Sequence, residues 1–313
     1  MSFRKDIVSR FISTAKASFE DEKMDRTKVL LQYALPKRLL TATAGRFARA
    51  HGGVMTTRMI RWFIGRYGVD MTEAQNPDIH SYASFNDFFT RPLKAGARPL
   101  APSDFICPVD GAISQLGAIE DGHMVQAKGH RFTATDLIGG DPELAEHFRD
   151  GSFANIYLSP KDYHRIHMPC AGKLRQMTYV PGALLSVNPV TARGVPNLFA
   201  RNERVVCIFE SPEHGLFAMV LVGATIVGSM ATVWHGVVNS SRSNQVSSWA
   251  YDDHDVVLNK GEEMGRFLLG STVVMLFEQD TIAFNEGWAP ERPVRLGERM
   301  GEPMGDQKGD GPV

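Results

Sequence analysis

Leu269-Gly270-Ser271-Thr272 interrupts an apolar run, with Phe267-Leu268 before it and Val273-Val274-Met275-Leu276-Phe277 after it. The run is short and dense in β-branched and large apolar residues, the pattern of a buried strand. A Gly-Ser step inside such a strand is costly, because glycine packs nothing and a buried serine needs a hydrogen-bond partner. The cost makes sense if the backbone itself reacts here. Glycine leaves its carbonyl uncrowded and tolerates unusual dihedrals, so the Ser271 hydroxyl can attack the Gly270 carbonyl and turn the amide into an ester. β-Elimination would then cut the chain, and the former serine would become a pyruvoyl group, a ketone able to act as an electron sink. A strand with a glycine bulge would show the same triplet, so the reading depends on what else the chain supplies.

Two further segments supply it. Ser159-Pro160-Lys161-Asp162-Tyr163-His164-Arg165-Ile166-His167-Met168-Pro169 offers an N-cap serine, a proline suited to the first helical position and a terminating proline. This predicts a turn or two of helix with His164 and His167 on one face. Two imidazoles so placed suit a general base with a proton donor, and they equally suit a metal. In Cys107-Pro108-Val109-Asp110-Gly111 the Asp-Gly pair reads as a tight turn entering a strand. Taken with a histidine and Ser271, Asp110 also completes an Asp-His-Ser set, in which a carboxylate orients the imidazole that deprotonates the hydroxyl.

Many segments in order then resemble one family, the phosphatidylserine decarboxylases of bacterial and mitochondrial type. They include Tyr82 through Leu93 (Tyr-Ala-Ser-Phe-Asn-Asp-Phe-Phe-Thr-Arg-Pro-Leu), Val109-Asp110-Gly111, Gln126-Ala127-Lys128-Gly129-His130, Tyr157 through Gly172, Ser186-Val187-Asn188, Pro196 through Arg204 and Gly261 through Phe277. The resemblance covers roughly residues 30 to 280. It implies a pyruvoyl-dependent enzyme that converts phosphatidylserine to phosphatidylethanolamine, with no metal or added cofactor. It also implies a proenzyme cut between Gly270 and Ser271 into a β chain, 1–270, and an α chain, 271–313, held as a heterodimer. By the same resemblance Asp110 and His167 form the charge relay to Ser271, Ser271 becomes the pyruvoyl that condenses with the substrate amine, and His164 donates a proton in decarboxylation. Ser186 falls where it would line the same pocket.

Net charge is −1, which argues against a nucleic-acid partner. Its distribution is uneven: from Arg26 to Arg66 there are nine Lys or Arg residues and no Asp or Glu. Within this stretch Met59, Ile60, Phe63, Ile64 and Tyr67 fall on one side at helical spacing, and Arg58, Arg61 and Arg66 on the other. A basic amphipathic helix with Trp62 reads as lying on an anionic membrane surface; a core-facing helix with a solvated basic face fits the same pattern. No apolar stretch reaches the roughly 18 residues of a membrane span, and the N-terminus lacks the apolar core of a secretory signal. The expected location is peripheral, at the cytoplasmic face of the cell membrane. Cys107, Cys170 and Cys207 are odd in number and lack metal-site spacing; they are expected to be reduced.

The fold class expected is α+β: an N-terminal helical membrane-docking region, 1–100, on a mainly antiparallel β catalytic domain, 101–285. Strands are expected at 111–117, 124–127, 155–158, 173–180, 205–210, 216–222 and 225–234, with one helix capped by Asp141 and ended by Gly151. The tail 286–313, rich in Gly, Pro and charge, is expected to be disordered. Two rival functions use the same residues: a serine hydrolase running Asp110-His167-Ser271 on an external ester, though the usual Gly-x-Ser-x-Gly elbow is absent, and a non-catalytic lipid-binding or carrier module.

Overall fold

Runs of β-branched and aromatic residues from Gly111 onward build one large antiparallel sheet around the strand Ser271–Phe277. The computed structural model describes residues 37–224, 229–238, 243–268 and 271–305, and side chains from residue 43. The expectations for residues 1–36, for Gly270, for the first four residues of the strand 225–234 and for residues 306–313 of the tail therefore lie outside the described residues.

Along the large sheet the strands run Ser247–Ala250, Gly172–Val180, Arg204–Ser211, Gly215–Val222, Ser271–Phe277, Ser152–Leu158, Gly111–Ala118 and Pro293–Val294, with Val257–Leu258 also pairing to Gly172–Val180. Ser271–Phe277 is buried at every position because the sheet is covered on both faces. Val273, Met275 and Phe277 join one core with Met219, Leu221 and Ile156, while Val274 and Leu276 join a second with Phe153, Ala218 and Val220. The registers Val273↔Leu221 and Val273↔Ile156 keep each set on its own side. Burial on both faces explains why the sequence reads there as a continuous apolar run rather than an alternating one.

A smaller sheet orders Gly236–Val237, Met230–Thr232, Glu263–Phe267 and Arg165–His167. The chain leaves this sheet at Phe267 and enters the large one at Ser271. Ser271 thus heads the central strand of one sheet immediately after the chain has crossed from the sheet that carries His167.

The N-terminal helices Lys37–Arg49, Val54–Tyr67 and Phe85–Phe89 carry a third core. Ile60 and Phe63 pack on Phe85, Phe88 and Phe89, and the rings of Phe63 and Phe85 meet edge to face at 5.1 Å. Ser84 and Asp87 close a capping box that starts the short helix. The apolar stripe of Val54–Tyr67 is therefore taken up by the protein's own core. Its outer face carries Arg58, Arg61 and Arg66 together with Met55 and Trp62, which are 74% and 61% exposed. No helix among the described residues is long and apolar enough to cross a membrane.

Three expectations need correction. The segment Ser159–Met168 is not a helix: a turn closed by Asp162, whose carboxylate accepts from Ser159 N and Oγ at 2.7 Å, leads into the strand Arg165–His167. Pairing of that strand with Glu263–Phe267 outweighs the local capping signals. The helix capped by Asp141 runs Pro142–Glu146 and stops well before Gly151. The tail from 286 to 305 is not disordered, since Pro293–Val294 pairs with Gly111–Ala118 and Arg299–Pro303 with Phe105–Ile106 and Ile282–Phe284. Composition gave no sign of this, because Trp288, Val294, Leu296 and Met300 are few but all buried.

Candidate active site

Ser271 is 1% exposed, and its Oγ has no hydrogen-bond partner among the described residues. A buried hydroxyl without a partner costs on the order of 1–3 kcal/mol, the pattern expected where a group is kept for chemistry rather than stability. On the other face of the same strands, Thr272 Oγ1 and both amide atoms of Asn155 are also without partners. The approach to Ser271 is fixed by backbone bonds from Phe267 N to His164 O and from Leu268 N to Ser229 O, both 3.0 Å. The carbonyl of one candidate histidine thus holds the segment that leads to the candidate nucleophile.

His164 is fully buried and lies against Phe89, ring centroids 4.0 Å apart. Its Nδ1 sits 2.8 Å from the Asp162 carbonyl. A carbonyl only accepts, so Nδ1 carries the proton and Nε2 is a bare lone pair, with no partner among the described residues. Burial, reinforced by the positive charge of Arg91, pushes its pKa down to about 3 against the pull of the Asp162 hydrogen bond. His164 is therefore a neutral acceptor at rest.

His167 shares this tautomer for a different reason. Nδ1 donates to the Gly261 carbonyl at 2.8 Å, and Nε2 accepts from the Tyr163 hydroxyl at 3.2 Å. Burial lowers its pKa, while the Gly261 hydrogen bond and the charges of Glu263 and Asp110 act the other way. Tyr163 is itself pushed up to about 12, chiefly by burial, so it stays a donor at physiological pH.

The Asp110 carboxylate bonds to groups other than the His167 ring in this structure. It is clamped by Arg98, with Nε at 2.9 Å and Nη2 at 2.6 Å, and accepts from Leu296 N at 2.9 Å. Arg98 in turn holds Glu73 at 2.7 Å. A bidentate guanidinium is a stronger partner for a carboxylate than a neutral imidazole, and orientation of His167 falls instead to Gly261. Asp110 remains near, since His167 N donates to Pro108 O at 3.0 Å, and its charge still bears on the ring.

A cavity of about 950 Å³ opens on this side, lined among others by Asp110, Tyr163, Tyr157, Arg91, Arg98 and Lys161. Ser186 is not among the residues that line it, although its neighbour Val187 is, and the Ser186 Oγ accepts from Asn188 N at 3.4 Å. The structure brings together His164, His167 and the approach to Ser271, and sets Asp110 at the cavity wall. Tyr163 and Gly261 went unassigned in the sequence, although both sit inside its recognisable segments. Among the described residues no group of three or more His, Cys, Asp or Glu side chains is arranged to hold a metal ion.

Comparison with known proteins decides what this arrangement belongs to. Residues 85–302 match the family model for phosphatidylserine decarboxylase, and residues 27–68 match a second model described as PSD. The chain is 70% identical over 276 residues to the phosphatidylserine decarboxylase proenzyme of Azoarcus sp. (strain BH72), covering 88% of this chain and 96% of that protein. It is 65% identical over 276 residues to the proenzyme of Dechloromonas aromatica (strain RCB), covering 88% and 98%. The chain belongs to the phosphatidylserine decarboxylase family. Its activity is that of a proenzyme carboxy-lyase converting phosphatidylserine to phosphatidylethanolamine. Phosphatidylserine decarboxylase proenzymes carry a pyruvoyl group derived from serine, and a buried, unpartnered Ser271 hydroxyl at the head of a central strand fits that origin. The hydrolase and carrier alternatives give way.

Proposed function

We propose that the chain matures by self-cleavage between Gly270 and Ser271 with His167 as the base, and that His164 handles the proton of turnover. The observation carrying this is the unpartnered Ser271 Oγ in a buried strand reached through the His164 carbonyl. His167 Nε2 is the only ring nitrogen of that residue free of a proton, and Tyr163 occupies it. Release of the Tyr163 hydroxyl lets Nε2 take the Ser271 proton while Gly261 keeps the ring in place; Asp110 favours the resulting imidazolium through its field. Oγ then bonds to the Gly270 carbonyl carbon, and the Gly270–Ser271 C–N bond breaks as His167 returns the proton to the leaving nitrogen. Loss of the Cα proton and of the ester oxygen leaves a carboxylate on Gly270 and dehydroalanine at 271, and water replaces its nitrogen with oxygen as ammonia leaves.

Once formed, the pyruvoyl group supplies a carbonyl that condenses with the substrate amine and accepts the electrons released as carbon dioxide departs. His164 begins turnover with Nε2 bare, so it can donate to the substrate Cα only after taking a proton. The substrate carboxylate, brought beside the ring, raises the affinity of Nε2 for a proton, and the substrate ammonium gives one up as its nitrogen condenses with the ketone. Burial against Phe89 keeps bulk water from supplying or removing it. Mass spectrometry of the purified protein tests the reading. Two fragments, 1–270 and 271–313, are expected, the second without a terminal amine; an intact chain with decarboxylase activity sinks it.

The two fragments stay together as one folded unit in this reading, because Ser271–Phe277 is hydrogen-bonded on both sides to strands of the longer one. The same unit docks on the cytoplasmic face of an anionic membrane through the outer face of Val54–Tyr67. Arg58, Arg61 and Arg66 meet the lipid phosphates there, and Met55 and Trp62 meet the acyl boundary. Each basic residue near such a surface contributes about 1 kcal/mol. Reversing all three arginines to Glu is expected to weaken binding to phosphatidylserine vesicles on the order of 100-fold or more in a sedimentation assay, with chain cleavage intact. Unchanged binding disproves the docking face.

A further inference from the structure

Arg91 is 4% exposed and lines the 950 Å³ cavity. Among the described residues no carboxylate lies within ion-pair distance of it, and its Nε has no hydrogen-bond partner. Two other arginines of the cavity wall are spent: Arg98 binds Asp110 and Glu73, and Arg295 binds Glu73. What holds Arg91 is weak, a 3.4 Å contact from Nη2 to the Lys161 carbonyl and the face of Phe88 at 5.3 Å. A buried guanidinium that Asp110, Asp70 and Glu73 reach only through their fields, with none in an ion pair, is costly, and the cost is met when a ligand brings the anion.

We propose that Arg91 is the anchor for the substrate's phosphodiester, making this wall of the cavity the head-group phosphate subsite. This rests on the decarboxylase reading and adds a residue to it. The planar fork of arginine matches two phosphate oxygens at once. Phosphatidylserine offers two anions, and the chemistry chooses between them. Its carboxylate must lose its charge as carbon dioxide leaves, so a fixed cation there would stabilise the ground state more than the transition state and slow the reaction. The phosphodiester keeps its charge throughout and can be held without that penalty.

Placement agrees. Arg91 follows the short helix whose Phe89 packs on the His164 ring, and Arg165 Nε donates to the Thr90 carbonyl at 2.8 Å. The anchor and the turn bearing His164 are thus tied into one rigid unit. A phosphodiester held at Arg91 would hang its serine end toward His164. Lys161, exposed at the same wall, faces the path of the phosphate from solvent.

The test compares wild type, Arg91→Gln and Arg91→Lys as full chains. Substrates are glycerophosphoserine, which keeps the diester, and O-methylserine, which lacks it. Wild type prefers the diester; Arg91→Gln is expected to lose about 30-fold in kcat/KM on glycerophosphoserine, mostly in KM, and little on O-methylserine. Arg91→Lys recovers part of the loss. Calorimetry with glycerophosphocholine, whose quaternary amine cannot condense with a ketone, gives a reading independent of turnover. Its affinity falls similarly in Arg91→Gln. Equal losses on both substrates mean a structural role and overturn the proposal. So does a site that binds inorganic phosphate but not glycerophosphocholine, which marks a free-phosphate site. If wild type decarboxylates no serine phosphodiester at all, the functional reading fails first and separately.

Discussion

Ser271→Ala yields one full-length chain with no decarboxylase activity, and it is at least as stable as an uncleaved wild-type precursor. The first half follows from chemistry, since alanine has no oxygen to attack the Gly270 carbonyl and nothing else at 271 can become a ketone. The second follows from burial. The Ser271 hydroxyl is enclosed without a hydrogen-bond partner among the described residues, so deleting it relieves desolvation and leaves a methyl in an apolar strand. A gain of about 1 kcal/mol is expected, visible as a higher melting temperature by calorimetry. Stability and activity moving in opposite directions mark a residue kept for reaction. Ser271→Cys is expected to cleave slowly, because a thiol performs the same acyl shift. In wild type, borohydride with the substrate traps an adduct on the fragment beginning at 271 and on no lysine. Two chains from Ser271→Ala, or a free serine amine at the new terminus of wild type, would overturn the assignment.

The sheet around Ser271 was legible because its strands are long, paired on both sides and apolar throughout. Expected spans such as 173–180 and 216–222 match Gly172–Val180 and Gly215–Val222 closely. Short strands were not legible. Arg165–His167 has three residues and capping signals before it, and only its partner Glu263–Phe267, about a hundred residues on, decides its conformation. The ordered tail was hidden for the same reason: Pro293–Val294 has little strand character and is fixed by Gly111 and Ala112. At the site, residue identity could nominate Asp110, His164, His167 and Ser271, but not their partners. That Arg98 takes the Asp110 carboxylate and the Gly261 carbonyl takes His167 Nδ1 are facts of tertiary competition. The apolar side of Val54–Tyr67 was legible as a face, yet nothing local says that Phe85 and Phe88 cover it.

His164→Ala and His167→Ala separate maturation from turnover, and pH separates them again. His164→Ala is expected to cleave into two chains yet lose 10²–10⁴-fold in kcat, since maturation uses only its backbone carbonyl. His167→Ala is expected to remain a single chain, with activity lost because no ketone forms. Exchange of the two phenotypes on a denaturing gel would refute the division of roles. The pH test follows from the depressed pKa of His164, about 3 in the fold against 6.5 in the unfolded chain. Between those values the unfolded state binds a proton that the native state refuses, so stability falls as pH drops below 6.5. The slope from this group approaches about 1.4 kcal/mol per pH unit and ends near pH 3. His167, also lowered by burial, adds a slope of the same sign that begins at the same unfolded value. His164→Gln keeps a polar side chain of similar reach and removes the first slope only. Denaturant unfolding at pH 7 and pH 4.5 should therefore show a smaller loss in His164→Gln than in wild type. An equal loss means that the fold does not depress the His164 pKa, and the assignment of a proton-refusing buried Nε2 is then wrong.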